Sequence, residues 1–168
     1  MIKGIFSPND LVSAAWVHMR PRRGFAIAGI LIVVLGFVAL WVMFFGPGAS
    51  APELSWARWG LVGSYVYLFA WLAIGIPYKS RRSYKQRKDL QRECTFAATD
   101  AGLSSSNQNA QGVKPWEDYL KWKEGKLVFL VYLSDNMFQI IPKRFFDSAE
   151  EINAFRQIVR ARVPRQEV

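Results

Sequence analysis

The chain has 168 residues, 51% of them hydrophobic, with 22 Lys and Arg against 13 Asp and Glu, a formal charge of +9, one His and one Cys. One His and one Cys exclude the common zinc sites within a single chain, and a lone thiol has no disulfide partner. The basic excess resembles a nucleic-acid signal until it is placed along the sequence. It lies in two clusters, at Lys3, Arg20, Arg22 and Arg23 and within residues 79–92, and the charges balance from Glu93 onward.

Residues 2–6 read as a short strand able to join a sheet formed by the C-terminal region. Ser7-Pro8-Asn9-Asp10 reads as a helix start, with Ser as cap, Pro at the first position and Asp in the first turn. Leu11, Val12, Ala15, Trp16 and Met19 follow at helical spacing up to Pro21, a pattern that suits a helix in the membrane interface or one packed on a cytoplasmic domain. His18 belongs to this helix and is expected to be structural or solvent-exposed. Residues 1–23 thus form an N-terminal cytoplasmic segment.

Two apolar stretches follow, residues 24–45 and 60–78, with no Asp, Glu, Lys, Arg or His in either. As helices they measure roughly 33 and 28 Å, enough to cross a hydrocarbon core of about 30 Å. The flanking cations predict a hairpin with both termini in the cytoplasm and residues 46–59 as an external loop. Trp41, Phe44 and Phe45 before the loop, Trp56 and Trp59 after it, and Tyr78 at the far end suit the headgroup level. Ala49-Ser50-Ala51 resembles a signal-peptidase site, but the apolar run is longer than the roughly 7–15 residues of a signal-peptide core, and a second span follows. Transport usually needs Asp, Glu, Lys, Arg or His inside the bilayer, and neither span has one. Gly29, Gly36 and the Gly60-x-x-x-Ser64 ridge suit close helix approach, within one hairpin or between two copies as a homodimer. Pro77 sits where it can bend the end of the second span without destroying it.

Residues 79–92 form a polybasic juxtamembrane segment in which Lys79, Arg81, Arg82, Lys85, Arg87 and Lys88 are candidate contacts for anionic lipid. Cys94 then lies in the reducing compartment, as a small residue in a strand.

Residues 93–168 read as a β-rich cytoplasmic domain. Residues 95–99 are strand-like and Asp100-Ala101-Gly102 is a turn. The polar tract 104–112 is an edge strand or a loop. Residues 117–123 alternate, which predicts Leu120 and Trp122 on one face and Tyr119, Lys121 and Lys123 on the other. Residues 127–133 form an almost wholly apolar, central strand, and Ser134-Asp135-Asn136 turns into residues 137–142. Ser148-Ala149-Glu150-Glu151 matches a capping box, opening a helix with the stripe Ile152, Phe155, Val159 and Val163. Arg156, Arg160 and Arg162 are expected to face water or to lie near its C-terminal end. The fold class is therefore α+β: a two-helix transmembrane hairpin plus a small antiparallel β-barrel-like domain closed by a C-terminal helix.

The Ser-Pro-Asn-Asp start, Arg20-Pro21-Arg22-Arg23, the two spans and Trp116-Glu117-Asp118 together resemble the YcxB-like bacterial membrane proteins. So does the run Ile141-Pro142-Lys143-Arg144-Phe145-Phe146 with its Ser148-Ala149-Glu150-Glu151 helix. The resemblance covers nearly the whole chain, and its most specific part is residues 115–160. It implies a pleckstrin-homology-like (PH-like) cytoplasmic domain in a protein of the bacterial inner membrane.

No glycine-rich phosphate loop, metal-ligand spacing or nucleophile elbow is present in the sequence. Glu117 and Asp118 are adjacent and on a strand would point to opposite faces, so they form no acid–base pair. The expected function is a non-enzymatic, cofactor-free interaction or regulatory module presenting its PH-like domain to a protein or peptide partner. Trp116, Lys143 and Arg144 are the candidate partner-binding residues. The alternative is a sensor of anionic lipid at the inner membrane surface. Nucleic acid is not expected, since the basic stretch abuts a negative membrane and leads into a neutral domain.

Overall fold

The computed structural model describes residues 1–21, 23–46, 55–107 and 110–164. The chain divides into two compact units, one formed by Met1–Arg20 with Tyr78–Val168 and the other by Pro21–Pro77.

The first unit holds two antiparallel sheets. The four-stranded sheet runs in the order β1 (Ile2–Ile5), β2 (Glu93–Ala98), β3 (Gly102–Asn107) and β4 (Ala110–Pro115). The N-terminal strand thus joins the C-terminal region, with Ile2 opposite Phe96 and Gly4 opposite Cys94. The polar tract is the β3–β4 hairpin; its residues 108 and 109 lie outside the described residues. The three-stranded sheet holds β5 (Lys121–Glu124), β6 (Val128–Tyr132) and β7 (Phe138–Pro142), with β6 central as its apolar composition requires.

Among the described residues these sheets do not close into a barrel, which corrects the barrel-like expectation. The chain leaves β4 at Pro115 and makes a 3₁₀ turn at Trp116–Asp118 before β5 starts. A proline without an N–H followed by a tight turn ends the ladder there, so the strands pass from one sheet to the other without pairing across the gap. That turn also shifts the side-chain phase. Tyr119 and Trp122 are buried while Leu120 is exposed, the reverse of the alternation that put Leu120 with Trp122.

Strand β6 divides its residues by parity. Val128, Leu130 and Tyr132 pack with Ala14 and Val17 of helix α1 (Pro8–Met19), so the face of α1 that meets the sheet is offset from the predicted stripe, whose Trp16 and Met19 are exposed. Phe129 and Val131 enter the main core with Phe96, Leu103, Tyr119, Trp122, the helix α5 residues Phe155 and Val159, and Val163 just past its end. Helix α5 (Ala149–Arg162) starts at Ser148, whose Oγ accepts a hydrogen bond from the Glu151 N–H at 3.2 Å. The Glu151 carboxylate accepts from the Asp147 N–H at 3.1 Å, one residue earlier than in a capping box.

Asp10 joins three elements. Its carboxylate accepts from the Ser7 N–H at 2.7 Å at the start of α1, and Arg144, just beyond β7, pairs with it at 2.7 Å and also donates to the Ile5 carbonyl of β1. Lys123 is buried and donates to the carbonyls of His18 and Arg20 at 3.4 and 3.0 Å, satisfying the end of α1. His18 Nδ1 lies 3.1 Å from the Tyr132 hydroxyl and its ring stacks on Tyr132 and Phe138, a structural role. Burial first, then the charges of Lys123 and Lys121, hold its pKa below the ordinary value.

The second unit is a pair of apolar helices. Helix α2 spans Arg23–Phe45, and α3 (Ser55–Ala70) continues through a π-helical turn, Trp71–Gly75, into α4 (Ile76–Gln86), which from Tyr78 onward belongs to the first unit. The second apolar helix thus starts at Ser55, before residue 60, and the basic residues up to Lys85 are helical. Residues 47–54 of the predicted external loop, Ala49-Ser50-Ala51 among them, lie outside the described residues, as does Arg22. Pro77 has no N–H to give a helix and its ring crowds the preceding turn; the wider π turn beside it, with the Ile76 N–H reaching the Trp71 carbonyl, carries the helix onward.

The two helices meet at Gly36. Any Cβ there would collide with Tyr65, whose hydroxyl donates to the Val33 carbonyl at 3.2 Å. Gly29 and Gly60 have nothing within 4 Å where a side chain would begin, and Ser64 spends its hydroxyl on its own helix at the Gly60 carbonyl, 2.8 Å away. Phe25, Leu35 and Trp41 are 72%, 66% and 66% exposed in this unit. Both helices are long and apolar enough to cross a membrane.

Candidate functional site

The gap between the two sheets is a cleft of about 420 Å³, and side-chain size along the four-stranded sheet explains it. Residues opposite one another in neighbouring strands share a face. One row across the sheet reads Ile2, Phe96, Ser105, Gly112, and the next reads Gly4, Cys94, Asn107, Ala110. In the first row the side chains shrink from Phe96 through Ser105 to Gly112 toward β4. The bulky residues of β1 and β2 fill the core, and the small ones of β3 and β4 leave a space that no other described residue occupies.

The floor of the cleft is apolar. Phe6 and Leu11 come from the N-terminal segment, Phe96 from β2, Leu90 from the 3₁₀ turn Lys88–Gln91, and Phe138 and Ile140 from β7. The rim is polar and mostly neutral: Ser105, Ser106, Asn107, Gln111 and Gln139, with Arg87 at one edge. Gln139 is held by the Tyr119 hydroxyl, which donates to its Oε1 at 2.7 Å. Burial, then the charge of Asp118, pushes the Tyr119 phenol well up, so it remains a donor. Arg87 pairs with Asp89 at 2.8 Å. Cys94 also lines the cleft; burial, then Asp89, pushes its thiol up, so it stays neutral and a poor nucleophile. An apolar hollow with a few placed donors and acceptors is suited to binding an apolar group and orienting its polar neighbours.

Beside the cleft runs β4. All six of its residues are exposed, and it pairs with β3 alone among the described residues. A strand with neither face covered and one edge unpaired is a template for another extended chain.

Trp116, Lys143 and Arg144 have separate partners. Trp116 is 5% exposed, packs against Tyr119 and donates its indole N–H to the Thr99 carbonyl at 2.8 Å, which fixes the crossing between the sheets. Lys143 pairs with Glu124 at 2.5 Å and lies over the Phe129 ring, 4.8 Å from its centre. Arg156 joins the same Glu124 at 2.8 Å, so this arginine of α5 ties helix to sheet rather than facing water. Arg144 serves Asp10. Of the basic residues in 79–92, Lys79, Arg81, Arg82, Lys85 and Lys88 are exposed, with no ionic partner among the described residues. Also among the described residues, no group of three or more His, Cys, Asp or Glu is placed to hold a metal ion.

The cleft residues were not among the sequence candidates. The available signal was the tract 104–112 itself: serines and a glycine in strand positions leave volume that large neighbours cannot fill.

Residues 98–159 match the family described as YcxB-like protein. A protein of Bacillus subtilis (strain 168) named "Uncharacterized protein YcxB" is 29% identical over 93 residues, 55% of this chain and 50% of the relative. The chain thus spans about half the length of that relative. No solved structure matches the chain. The family match runs from the end of β2 into α5, so it includes the neutral rim and the β7 wall of the cleft, while Phe6, Leu11, Arg87, Leu90, Cys94 and Phe96 lie before it.

Proposed function

We propose, for a chain that belongs to the YcxB-like family, a membrane-anchored, non-enzymatic interaction module. Its two apolar helices cross the bacterial inner membrane with both chain ends in the cytoplasm. The cytoplasmic α+β unit, PH-like in character, receives an extended segment of a protein partner that pairs with the free edge of β4 and sets an apolar side chain in the cleft. The observation that carries this reading is β4, exposed at every residue beside a hollow lined by Phe6, Leu11, Phe96, Phe138 and Ile140. An edge strand held by one ladder offers its unpaired N–H and C=O groups to an added strand. Trp116, Lys143 and Arg144 act as scaffold in this reading. Membrane crossing is supported by the exposure of large apolar side chains along the whole of α2, which water solvates poorly.

The test uses the full-length chain in its own cells. A photo-crosslinking residue at Gln111 is expected to yield one discrete protein adduct that disappears when Gly112→Trp fills the cleft, and the same probe at Ile158 of α5 is expected to yield none. Equal labelling at both positions, or an adduct indifferent to Gly112→Trp, overturns the docking site. For topology, Ser50→Cys is expected to react with an impermeant maleimide from outside intact cells and Lys126→Cys only after lysis. The opposite pattern overturns the orientation.

A further inference from the structure

Helix α4 is fastened to the α+β unit on one side only. The Tyr84 hydroxyl donates to the Phe6 carbonyl at 2.9 Å, and the Gln91 amide donates to the Tyr84 carbonyl at 3.1 Å, filling an acceptor that the helix end leaves free. Ser80, Ser83 and Tyr84 are half-buried on that side. At 3.6 residues per turn, Lys79, Arg81, Arg82 and Lys85 fall on the other half of the helix, and Lys88 extends the same row into the 3₁₀ turn. All five are exposed, none has an ionic partner among the described residues, and the helix itself contains no acidic residue. Cations fixed on one face without counter-charges are a site awaiting anions.

The helix indicates which anion. Residues Ser55–Gln86 form one helical run, without charge from Trp59 through Ile76 and basic beyond it. A ligand that suits both halves has hydrocarbon on one side and a negative headgroup on the other. A nucleic acid or a soluble phosphate matches only the basic half. We infer that the solvent-facing half of α4 is a binding site for the headgroups of anionic phospholipids, with Lys79, Arg81, Arg82, Lys85 and Lys88 as its cations. The inference rests on the membrane-crossing part of the function proposed above and not on the cleft.

The full-length chain in neutral detergent, titrated with dioctanoyl phosphatidylglycerol or dioctanoyl phosphatidylcholine and followed by native mass spectrometry, tests it. Each basic residue near an anionic lipid surface contributes about a five-fold factor, so phosphatidylglycerol is expected to bind at least about ten-fold tighter. The triple variant Arg81→Gln, Arg82→Gln, Lys85→Gln is expected to lower its affinity to that of phosphatidylcholine, with Cys94 still protected from thiol reagents as a check on folding. Equal affinities in the unaltered chain overturn the inference, and so does a preference that survives the triple substitution. Loss of the preference in millimolar inorganic phosphate, or tighter binding of single-stranded DNA than of phosphatidylglycerol, also overturns it by identifying a general anion site. The Ser50→Cys labelling is independent of these outcomes, so failure here leaves the membrane hairpin standing.

Discussion

Strand β6 carries five buried residues between two paired neighbours, whereas β4 carries six exposed ones and pairs on one edge only. Both are short antiparallel strands of the same unit, but they are held in different ways. β6 is fixed by burial on two faces, with α1 on one side and the aromatic core on the other. β4 is fixed by its ladder with β3 and little else. A core strand tolerates no change of volume, while an uncovered edge strand can be altered freely until its partner arrives. The contrast separates residues that make the fold from residues available to use it.

The largest effect is expected at Phe129. It is fully buried, meets the rings of Trp122, Phe146 and Phe155, and lies beneath the Lys143 and Arg156 cations. Phe129→Ala removes the hub of that cluster and is expected to cost about 3–5 kcal/mol. The lone thiol reports it. Cys94 is buried on β2, so the urea dependence of its labelling in the detergent-solubilised full chain follows opening of the domain. A midpoint unchanged by Phe129→Ala would remove β6 from the centre of the fold.

Glu124 comes next. It accepts from Lys143 and from two nitrogens of Arg156, joining β5, the end of β7 and α5. Glu124→Ala leaves two cations without their acceptor and is expected to cost about 2 kcal/mol, with Glu124→Gln costing less. Burial raises its pKa, but the hydrogen bonds from Arg156 and Lys143 and their charges outweigh burial and hold the carboxyl below 4.5. Between the folded value and 4.5 the native state binds fewer protons than the unfolded chain. The contribution is therefore fully present above about pH 4.5 and is lost as the pH falls through the folded value. The Cys94 midpoint is expected to fall with acid in this window for the unaltered chain, and less so for Glu124→Gln.

The same contrast explains what the sequence made legible. The apolar run of β6, the Ser148 cap and apolar stripe of α5 and the two long apolar helices are local patterns, and each appears in the fold, although the second apolar helix starts at Ser55 rather than at residue 60. Tyr119 and Leu120 exchanged faces because a 3₁₀ turn precedes β5, and alternation cannot be extended through a turn. Arg144 reads in the sequence as a candidate partner-binding residue because its partner within the fold, Asp10, is 134 residues away. No spacing rule joins those two. The cleft escaped notice for a related reason: the small size of Ser105 and Gly112 matters only once Phe96 and Ile2 are known to stand in the same row.

The smallest effect on stability, and the sharpest use of the comparison, is expected on β4. Val113 is 52% exposed, and truncating a side chain that touches mainly solvent alters stability by about 0.5 kcal/mol or less. Val113→Ala should therefore leave the Cys94 midpoint where it is while weakening the adduct formed from Gln111, since an incoming strand would pack against that side chain. The pair of measurements divides the alternatives. A stable variant with a weaker adduct assigns Val113 to recognition. A large drop in midpoint means that β4 is covered within the folded chain, and the free edge on which the docking proposal stands does not exist.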